Sequence, residues 1–231
     1  MNKERAANLK LETENLKLLN INEYIEHTIL KQDTCAADVK RICAEAIENN
    51  FFGVCIPPYF VKEAALLLQN TEVKLITVVG FPLGYQGIAA KVEETKRAID
   101  EGADEIDMVM NVAAFKDKNY NYVKNELLSV CTIARMKNKK LKVIIETALL
   151  NDAEIIHACE LCEEAEVDFV KTSTGFSSRG ASVADIVLMR KNLSPKINIK
   201  ASGGIKTKEF ALQLIEAGAT RIGTSCGLEI I

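Results

Sequence analysis

The sequence predicts an α/β protein, a (β/α)₈ TIM barrel with an additional N-terminal helix. Short β-rich runs recur eight times along the 231 residues, and segments with helical spacing lie between most of them. Parallel strands need long crossover connections, and these are almost always right-handed when a helix supplies them. Eight strand-helix units in succession match the closed barrel.

The eight candidate strands are short and rich in β-branched residues. They cover 25–30, 53–56, 74–79, 105–110, 142–147, 168–172, 197–201 and 221–224. An open doubly wound sheet is the main alternative, but such a sheet usually has a glycine-rich turn after its first strand. No G-x-G-x-x-G pattern follows residue 30, so the barrel is favoured.

The connecting segments have apolar residues at helical spacing. The segment after the first strand carries Ala36, Val39, Cys43 and Ala46 on one face, and a late helix is followed by Gly218 as a stop signal. In the pattern over 152–165, Cys159 and Cys162 share a face with apolar neighbours. This C-x-x-C pair is therefore expected to pack in the core and to bind no metal.

One domain is expected to span 1–231, with residues 1–21 as a helical extension. Leu9, Leu16 and Leu19 of this extension are available to cover an end of the barrel. Only seven residues follow 224, so the eighth helix is expected to be short or missing. The chain is long enough to bury one large core.

Composition predicts a cytoplasmic protein with a small soluble partner. The 32 acidic and 29 basic residues are interspersed, which suggests neither a nucleic-acid tail nor a membrane-binding patch. No run approaches the length of a membrane span, and the N-terminus lacks the apolar core of a signal peptide. Seven cysteines form an odd number at low density, which indicates reduced thiols.

Charged residues interrupt four of the predicted strands. They are Asp107, Lys142, Lys171 and Lys200. Strands covered on both faces are usually almost continuously apolar, and Glu105 and Asp107 share one face while Ile106 and Met108 share the other. Any one of these charges could be a strand-end residue or a structural ion pair. Four in phase predict a charged site inside the barrel, because burying an unpaired charge costs several kcal/mol.

Neighbouring lysines in a dry cavity suppress each other's protonation, and desolvation acts in the same direction. One of them can then supply a neutral amine that attacks a carbonyl. The resulting iminium stabilises negative charge on the adjacent carbon, so a carbon–carbon bond can break without a metal or an organic cofactor. Asp107 could move protons together with a second lysine and water. Lys171 is the expected Schiff-base residue.

Glycine-containing turns follow the last two strands. They contain Gly203 and Gly204 after the seventh strand, and Gly223 and Ser225 around the end of the eighth. Loops at these positions often bind phosphate in barrels, although each could be an ordinary tight turn. Thr172 and Gly175, which follow Lys171, could donate to the same anion. A phosphorylated sugar or aldehyde is therefore the expected ligand.

The motifs resemble those of deoxyribose-phosphate aldolases. They follow one another in order as HTIL, VCIPPYF, TVVGFPLG, EIDMVMN, KVIIET, FVKTSTGF, KASGGIK and GTSCG, and the match covers residues 21 to 227, nearly the whole chain. The resemblance implies reversible cleavage of 2-deoxy-D-ribose 5-phosphate into acetaldehyde and D-glyceraldehyde 3-phosphate by a class I mechanism without a metal. It also implies a homo-oligomer, a dimer or tetramer.

By this resemblance, Lys171 forms the Schiff base, Lys200 tunes it and Asp107 relays protons. The residues expected around the substrate are Thr172, Gly175, Gly203, Gly204, Gly223, Ser225, Lys142, Glu26 and Cys55. The sequence departs from the family pattern at Glu26, where aspartate is usual, at Ala201, where proline is common, and at Cys226, where serine is usual. The longer Glu26 side chain could change the sugar preference.

Several alternatives remain open from the sequence. The Cys55 thiol is expected near the pocket mouth, where aldehydes could trap it, or in the core as a small buried residue. His27 and His157 are expected to be structural. Other functions include another Schiff-base lyase or transaldolase, a phosphosugar isomerase, and a barrel that binds a sugar phosphate without catalysis.

Overall fold

The predicted TIM barrel is confirmed. The computed structural model describes residues 20–231, in which eight parallel strands close into a barrel in chain order. The strands are β1 (Ile25–Thr28), β2 (Gly53–Ile56), β3 (Lys74–Val79), β4 (Glu105–Val109), β5 (Lys140–Ile144), β6 (Phe169–Lys171), β7 (Asn198–Ser202) and β8 (Arg221–Thr224). The largest difference from the predicted bounds is at β5, which begins two residues before Lys142 and ends at Ile144.

Helices connect successive strands within the described residues. They are α1 (Ala36–Glu48), α2 (Val61–Leu67), α3 (Ile88–Asp100), α4 (Val112–Lys116), α5 (Tyr120–Met136), α6 (Asp152–Glu164), α7 (Val183–Asn192) and α8 (Lys208–Glu216). The predicted segments before Gly218 and over 152–165 are helical. Both α4 and α5 lie between β4 and β5, which accounts for the longest interval between strands.

Helix starts follow local sequence signals. Asn151 accepts a hydrogen bond from the backbone of Glu154, whose side chain bonds back to Asn151, so a reciprocal capping box begins α6. Ser182 and Thr207 accept in the same way at the starts of α7 and α8. These caps satisfy backbone donors that a helix leaves without a partner. They also fix where the preceding loops end.

The main core lies between the barrel and the helices. Ile106 and Met108 of β4 point into it, while Asp107 between them forms ion pairs with lysines from three other strands across the barrel interior. Cys159 and Cys162 are buried in the same core, as their helical spacing predicts. All seven cysteines are free.

Residues 20–24 and 225–231 flank the first and last strands of the barrel. The predicted helical extension over 1–21, including Leu9, Leu16 and Leu19, lies outside the described residues except for Asn20 and Ile21; Ile21 begins a short 3-10 helix, Ile21–Tyr24. After β8, the described residues 225–231 contain a turn and no helix. No helix within 20–231 has both the length and the apolar character needed to cross a lipid bilayer.

Candidate active site

The charged residues predicted from the strands converge inside the barrel. Lys171 Nζ lies 2.8 Å from Asp107 Oδ2, and Lys200 Nζ lies 2.6 Å from the same oxygen. Lys142 Nζ lies 2.9 Å from the other oxygen, Oδ1. One carboxylate on β4 therefore contacts lysines from β5, β6 and β7.

Lys171 differs from the other two lysines in the number of anions around it. It is 2% exposed, and Asp107 is the one carboxylate with which it forms an ion pair in the described residues. Burial lowers the pKa of Lys171, Asp107 counteracts this effect, and the positive charge of Lys200 lowers the pKa further, so the net change is downward. This shift favours the neutral amine that attack on a carbonyl requires.

Lys200 and Asp107 hold their charges more firmly. Burial lowers the pKa of Lys200, but Asp107 and Glu26 outweigh it, and the net pKa is raised. Burial raises the pKa of Asp107, yet the three lysines hold it well below its usual range. The site thus combines a Lys171 amine whose lowered pKa favours loss of its proton with an ammonium on Lys200 and a carboxylate on Asp107, which is the set that imine formation and proton transfer need.

Glu26 and Lys142 lie deeper in the barrel. Glu26 pairs with Lys200, and its other oxygen lies 2.9 Å from Arg221 and 3.3 Å from Lys142. Lys142 also lies 2.7 Å from Glu105. Burial lowers the pKa of Lys142, but Asp107, Glu26 and Glu105 outweigh it, and the net pKa is raised. Glu26 and Lys142 were both expected around the substrate, but neither lines the cavity that Lys171 reaches; they contact Lys200 and Asp107 beneath it.

Arg221 and Glu105 were not predicted as site residues. Arg221 Nη1 lies 3.2 Å from Glu105 Oε2, and its guanidinium stacks 3.2 Å from the ring centroid of Phe52. The signal for Glu105 was present, because it shares the inward face of β4 with Asp107. Arg221 begins its strand, where a charge ordinarily reaches solvent.

Glu26, Cys55 and Asp107 form a group of possible metal ligands, with ligand atoms within 4.8 Å of one another. Lys142, Lys200 and Arg221 already contact these two carboxylates. Their positive charges would repel a divalent cation. The donor set therefore fits protonated amines better than a metal ion.

A cavity of about 270 Å³ opens above Lys171 at the carboxyl ends of the strands. Its walls include Ser225 and all four of the predicted phosphate-site glycines, Gly175, Gly203, Gly204 and Gly223. A groove of about 820 Å³ lies beside it and shares Leu30, Lys31 and Phe176 with it. The groove has none of the buried interior charges in its walls, so we assign the chemistry to the smaller cavity.

The glycine turns are shaped to bind an anion. Gly203 and Gly204 have φ of 87° and 74°, values that favour glycine. Neither amide has a protein acceptor within the described part of the chain. Lys206 and Lys31, which were not predicted as site residues, also line the cavity. Backbone donors together with two cations suit a phosphate.

Thr172 is placed differently from the prediction. Its hydroxyl donates to the carbonyl of Ser202 at 3.2 Å and accepts from the amide of the same residue at 3.1 Å. It is buried and does not line the cavity. Thr174 lines the cavity instead, because β6 ends at Lys171 and strand alternation does not continue into the loop.

Glu146 was also missed, and it holds the loop that carries Thr174. Its carboxylate accepts hydrogen bonds from both the amide and the hydroxyl of Thr174. Its φ is 54°, which is uncommon for a residue with a side chain and often occurs near functional sites. Within residues 20–231, its second oxygen is buried without a hydrogen-bond partner.

Cys55 lies below the cavity and not at its mouth. It is fully buried, packs against Ile76 and Val78, and does not line the cavity. Burial raises the pKa of its thiol to about 11, so the unreactive protonated form prevails at neutral pH. The position of Cys55 agrees with the alternative prediction, in which it is a small buried residue of the core.

Neither histidine points into the barrel site. His27 Nε2 lies 2.7 Å from Glu45 of α1, and the ring packs against Phe51. His157 is on α6, 2.8 Å from Glu160. Their positions agree with the structural roles predicted for both.

Comparison with known proteins gives consistent matches. The model of the DeoC/LacD family of aldolases matches residues 21–231. The deoxyribose-phosphate aldolases of Thermococcus kodakarensis and Caldicellulosiruptor saccharolyticus are each 51% identical to the chain, over 91% of it and 95% and 96% of their own lengths. A tetrameric deoxyribose phosphate aldolase from Aeropyrum pernix has a similar structure, with a TM-score of 0.87, 27% identity and 94% of each chain covered.

Proposed function

The chain belongs to the DeoC/LacD family of aldolases, and on this premise we propose that it reversibly cleaves 2-deoxy-D-ribose 5-phosphate into acetaldehyde and D-glyceraldehyde 3-phosphate. The observation that carries the proposal is the buried Lys171 amine at the base of the cavity, with its pKa lowered and Asp107 2.8 Å away. A neutral lysine next to a proton-transfer group is the requirement of a Schiff-base enzyme.

In the cleavage direction, the Lys171 amine attacks C1 of the open-chain sugar, and loss of water gives an iminium. A base removes the proton of the C3 hydroxyl, and the C2–C3 bond breaks. Its electron pair moves to C2 and forms the enamine, while C3 becomes the aldehyde of glyceraldehyde 3-phosphate. Protonation of C2 and hydrolysis of the imine then release acetaldehyde and restore the amine.

The neighbouring residues suit these proton transfers. Asp107 shares one oxygen between Lys171 and Lys200, so it can accept a proton from one side while Lys200 returns one through bound water. Lys200 also places a positive charge beside the developing imine. We assign Lys171, Lys200 and Asp107 to catalysis, and Lys142 and Glu26 to the support of Lys200 and Asp107.

The phosphate of the substrate is proposed to bind the amides of Gly203 and Gly204, with Gly175, Gly223 and Ser225 around it. Lys206 and Lys31 at the cavity mouth add positive charge. This places the phosphate at one end of a cavity whose base is Lys171.

We further propose a cytoplasmic homo-oligomer, dimeric or tetrameric, that acts in deoxyribose phosphate degradation. The tetrameric relative from Aeropyrum pernix supports an oligomer. Large side chains such as Tyr59, Leu66 and Met136 are exposed on the single chain, and contact with another copy would cover apolar surface of this kind.

Trapping of the covalent intermediate tests the function directly. Acetaldehyde and borohydride should leave an ethyl group on Lys171, which peptide mapping by mass spectrometry locates. The Lys171→Arg variant should lose both the adduct and cleavage of 2-deoxyribose 5-phosphate. Cleavage that survives in Lys171→Arg would overturn the Schiff-base assignment. An adduct on Lys171 with no cleavage of this sugar would instead indicate another lyase or a transaldolase.

A further inference from the structure

The buried charges of the barrel interior form one connected network. It comprises Glu26, Glu105, Asp107, Lys142, Lys171, Lys200 and Arg221, and each member lies within 3.3 Å of an oppositely charged partner. We call this set the interior network. Every member is 6% exposed or less, so water compensates its charges poorly.

The positive and negative charges of the interior network balance when Lys171 is uncharged. Three carboxylates face three cations other than Lys171, namely Lys142, Lys200 and Arg221. The network is therefore neutral when Lys171 is uncharged, and it carries one excess positive charge when Lys171 is protonated. An uncompensated charge in a buried cluster is costly, so the composition of the network itself favours the neutral amine.

We propose that Arg221 and Glu105 are positioning residues for the aldolase reaction, whose charges set the balance of the interior network and thereby the pH at which Lys171 becomes a nucleophile. Neither forms an ion pair with Lys171, and each is the first residue of its strand, Glu105 of β4 and Arg221 of β8. The inference rests on the proposed function, because it concerns the lysine that forms the Schiff base there.

Contacts show how these two residues act over a distance. Arg221 Nη1 bridges Glu26 at 2.9 Å and Glu105 at 3.2 Å. Glu26 pairs in turn with Lys200, and Glu105 with Lys142. Both lysines contact Asp107, the partner of Lys171. Arg221 and Glu105 therefore act on Lys171 electrostatically, through a chain of alternating charges. Because their own charges are opposite, removing one should shift the pH at which Lys171 loses its proton in the opposite direction from removing the other.

Other groups near Lys171 do not enter this balance. On β2, the Cys55 thiol remains protonated at neutral pH, because burial raises its pKa to about 11. Glu146 at the end of β5 bonds to Thr174 and not to the network. Lys31 and Lys206 at the cavity mouth are exposed, so solvent screens them.

The test measures how the rate of borohydride trapping with acetaldehyde depends on pH. Arg221→Met removes a positive charge, so Lys171 should stay protonated to higher pH and the midpoint should move to alkaline pH by about one unit. Glu105→Gln removes a negative charge, so the midpoint should move to acid pH by a similar amount. The double variant should return toward the wild-type midpoint.

Two further variants separate charge from structure. Arg221→Lys keeps the charge and should restore most of the wild-type midpoint. Glu126→Gln is the matched control for Glu105→Gln, since Glu126 is an equally buried carboxylate that pairs with Lys91 outside the barrel interior. It should leave the midpoint unchanged. Circular dichroism confirms folding, and if Arg221→Met does not fold, the acid shift of Glu105→Gln alone decides.

The outcomes distinguish this inference from the proposed function. Equal rate losses in Arg221→Met and Glu105→Gln without opposite shifts of the midpoint would overturn the charge-balance role, while labelling of Lys171 in the wild type would leave the aldolase intact. Absence of any adduct on Lys171 in the wild type would overturn the proposed function itself.

Discussion

Gly223 occupies the point where the Lys200 side chain passes β8. A Cβ atom at this position would lie 2.9 Å from Lys200 Cε and 3.0 Å from Ser202 Cβ. The end of a lysine is ordinarily free to move away, but Lys200 is held by Glu26 and Asp107. The absence of a side chain therefore helps to fix the position of the ammonium.

We expect Gly223→Ala to lower kcat about tenfold, since small displacements of a catalytic group have effects of this order or larger. Thermal unfolding measured in parallel should show a folded protein. Gly87→Ala is the control, because a Cβ atom there meets nothing within 4 Å and φ is an ordinary −65°. Equal kcat values for the two variants would contradict the argument.

Glu146 combines an uncommon backbone conformation with two hydrogen bonds to Thr174. Replacing Glu146 with glycine relieves the positive φ and releases the loop, whereas glutamine keeps an acceptor oxygen and removes the charge. We expect Glu146→Gly to raise KM for the phosphosugar about tenfold, which corresponds to one charge-assisted hydrogen bond, and Glu146→Gln to have a smaller effect. Steady-state kinetics checks both, and an unchanged KM in Glu146→Gly would refute the role of the carboxylate.

At the scale of elements, the sequence predicts the strands well and the loops poorly. A strand alternates with a period of two, so the inward phase of Asp107, Lys171 and Lys200 can be read from their apolar neighbours. Beyond the last residue of a strand this rule fails. Thr172 was expected around the substrate because it follows Lys171 and because of the family resemblance, although alternation from Lys171 turns it to the opposite face; Thr174 of the following loop lines the cavity instead.

The site residues that the sequence did not predict were missed for one physical reason. Arg221 is at the start of β8, and only the closed barrel brings it to Glu26 of β1 and Glu105 of β4. Lys206 and Phe176 reach the cavity from loops whose paths depend on positive-φ glycines. Pairing between distant strands and the course of a loop are tertiary properties, and a single sequence contains no periodic signal for them.

A second buried ion pair ties elements together outside the barrel interior. Lys91 of α3 lies 2.7 Å from Glu126 of α5 and donates to the carbonyls of Gly84 and Val109. Glu126 also accepts from the amide of Asn111 at 2.9 Å. The pair thereby joins two helices to the loops that follow β3 and β4.

Lys91→Met should lower the free energy of unfolding by about 3–5 kcal/mol, because it leaves Glu126 buried without a counterion. Chemical denaturation measures the loss. The double variant Lys91→Met with Glu126→Gln should recover part of it, since the remaining polar group is then uncharged. A recovery of zero would mean that the loss arises from packing and not from the unpaired charge.

At the scale of the whole molecule, the barrel surrounds a charged interior where most proteins bury apolar side chains. Burial alone would raise the pKa of Glu26 and Asp107, yet the surrounding cations lower both from their usual values of 4.5 and 3.8. The folded chain therefore binds fewer protons at these sites than the unfolded chain in acid. Their contribution to stability is present above the unfolded values and is lost as the pH falls through the folded values.

Acid should consequently destabilise the protein below about pH 4.5, the usual pKa of Glu26, as measured by urea unfolding across the range from pH 7 to 3. Burial raises the pKa of Glu126, which acts in the opposite direction, so the decisive comparison is between variants. Glu26→Gln lowers stability at neutral pH by leaving Arg221 and Lys200 short of an anion, but its stability should fall less steeply in acid. The exposed Glu229→Gln should reproduce the wild-type slope. Identical slopes in all three proteins would show that the interior carboxylates do not govern acid stability, and the loss of stability in acid would then have to arise from groups outside the network.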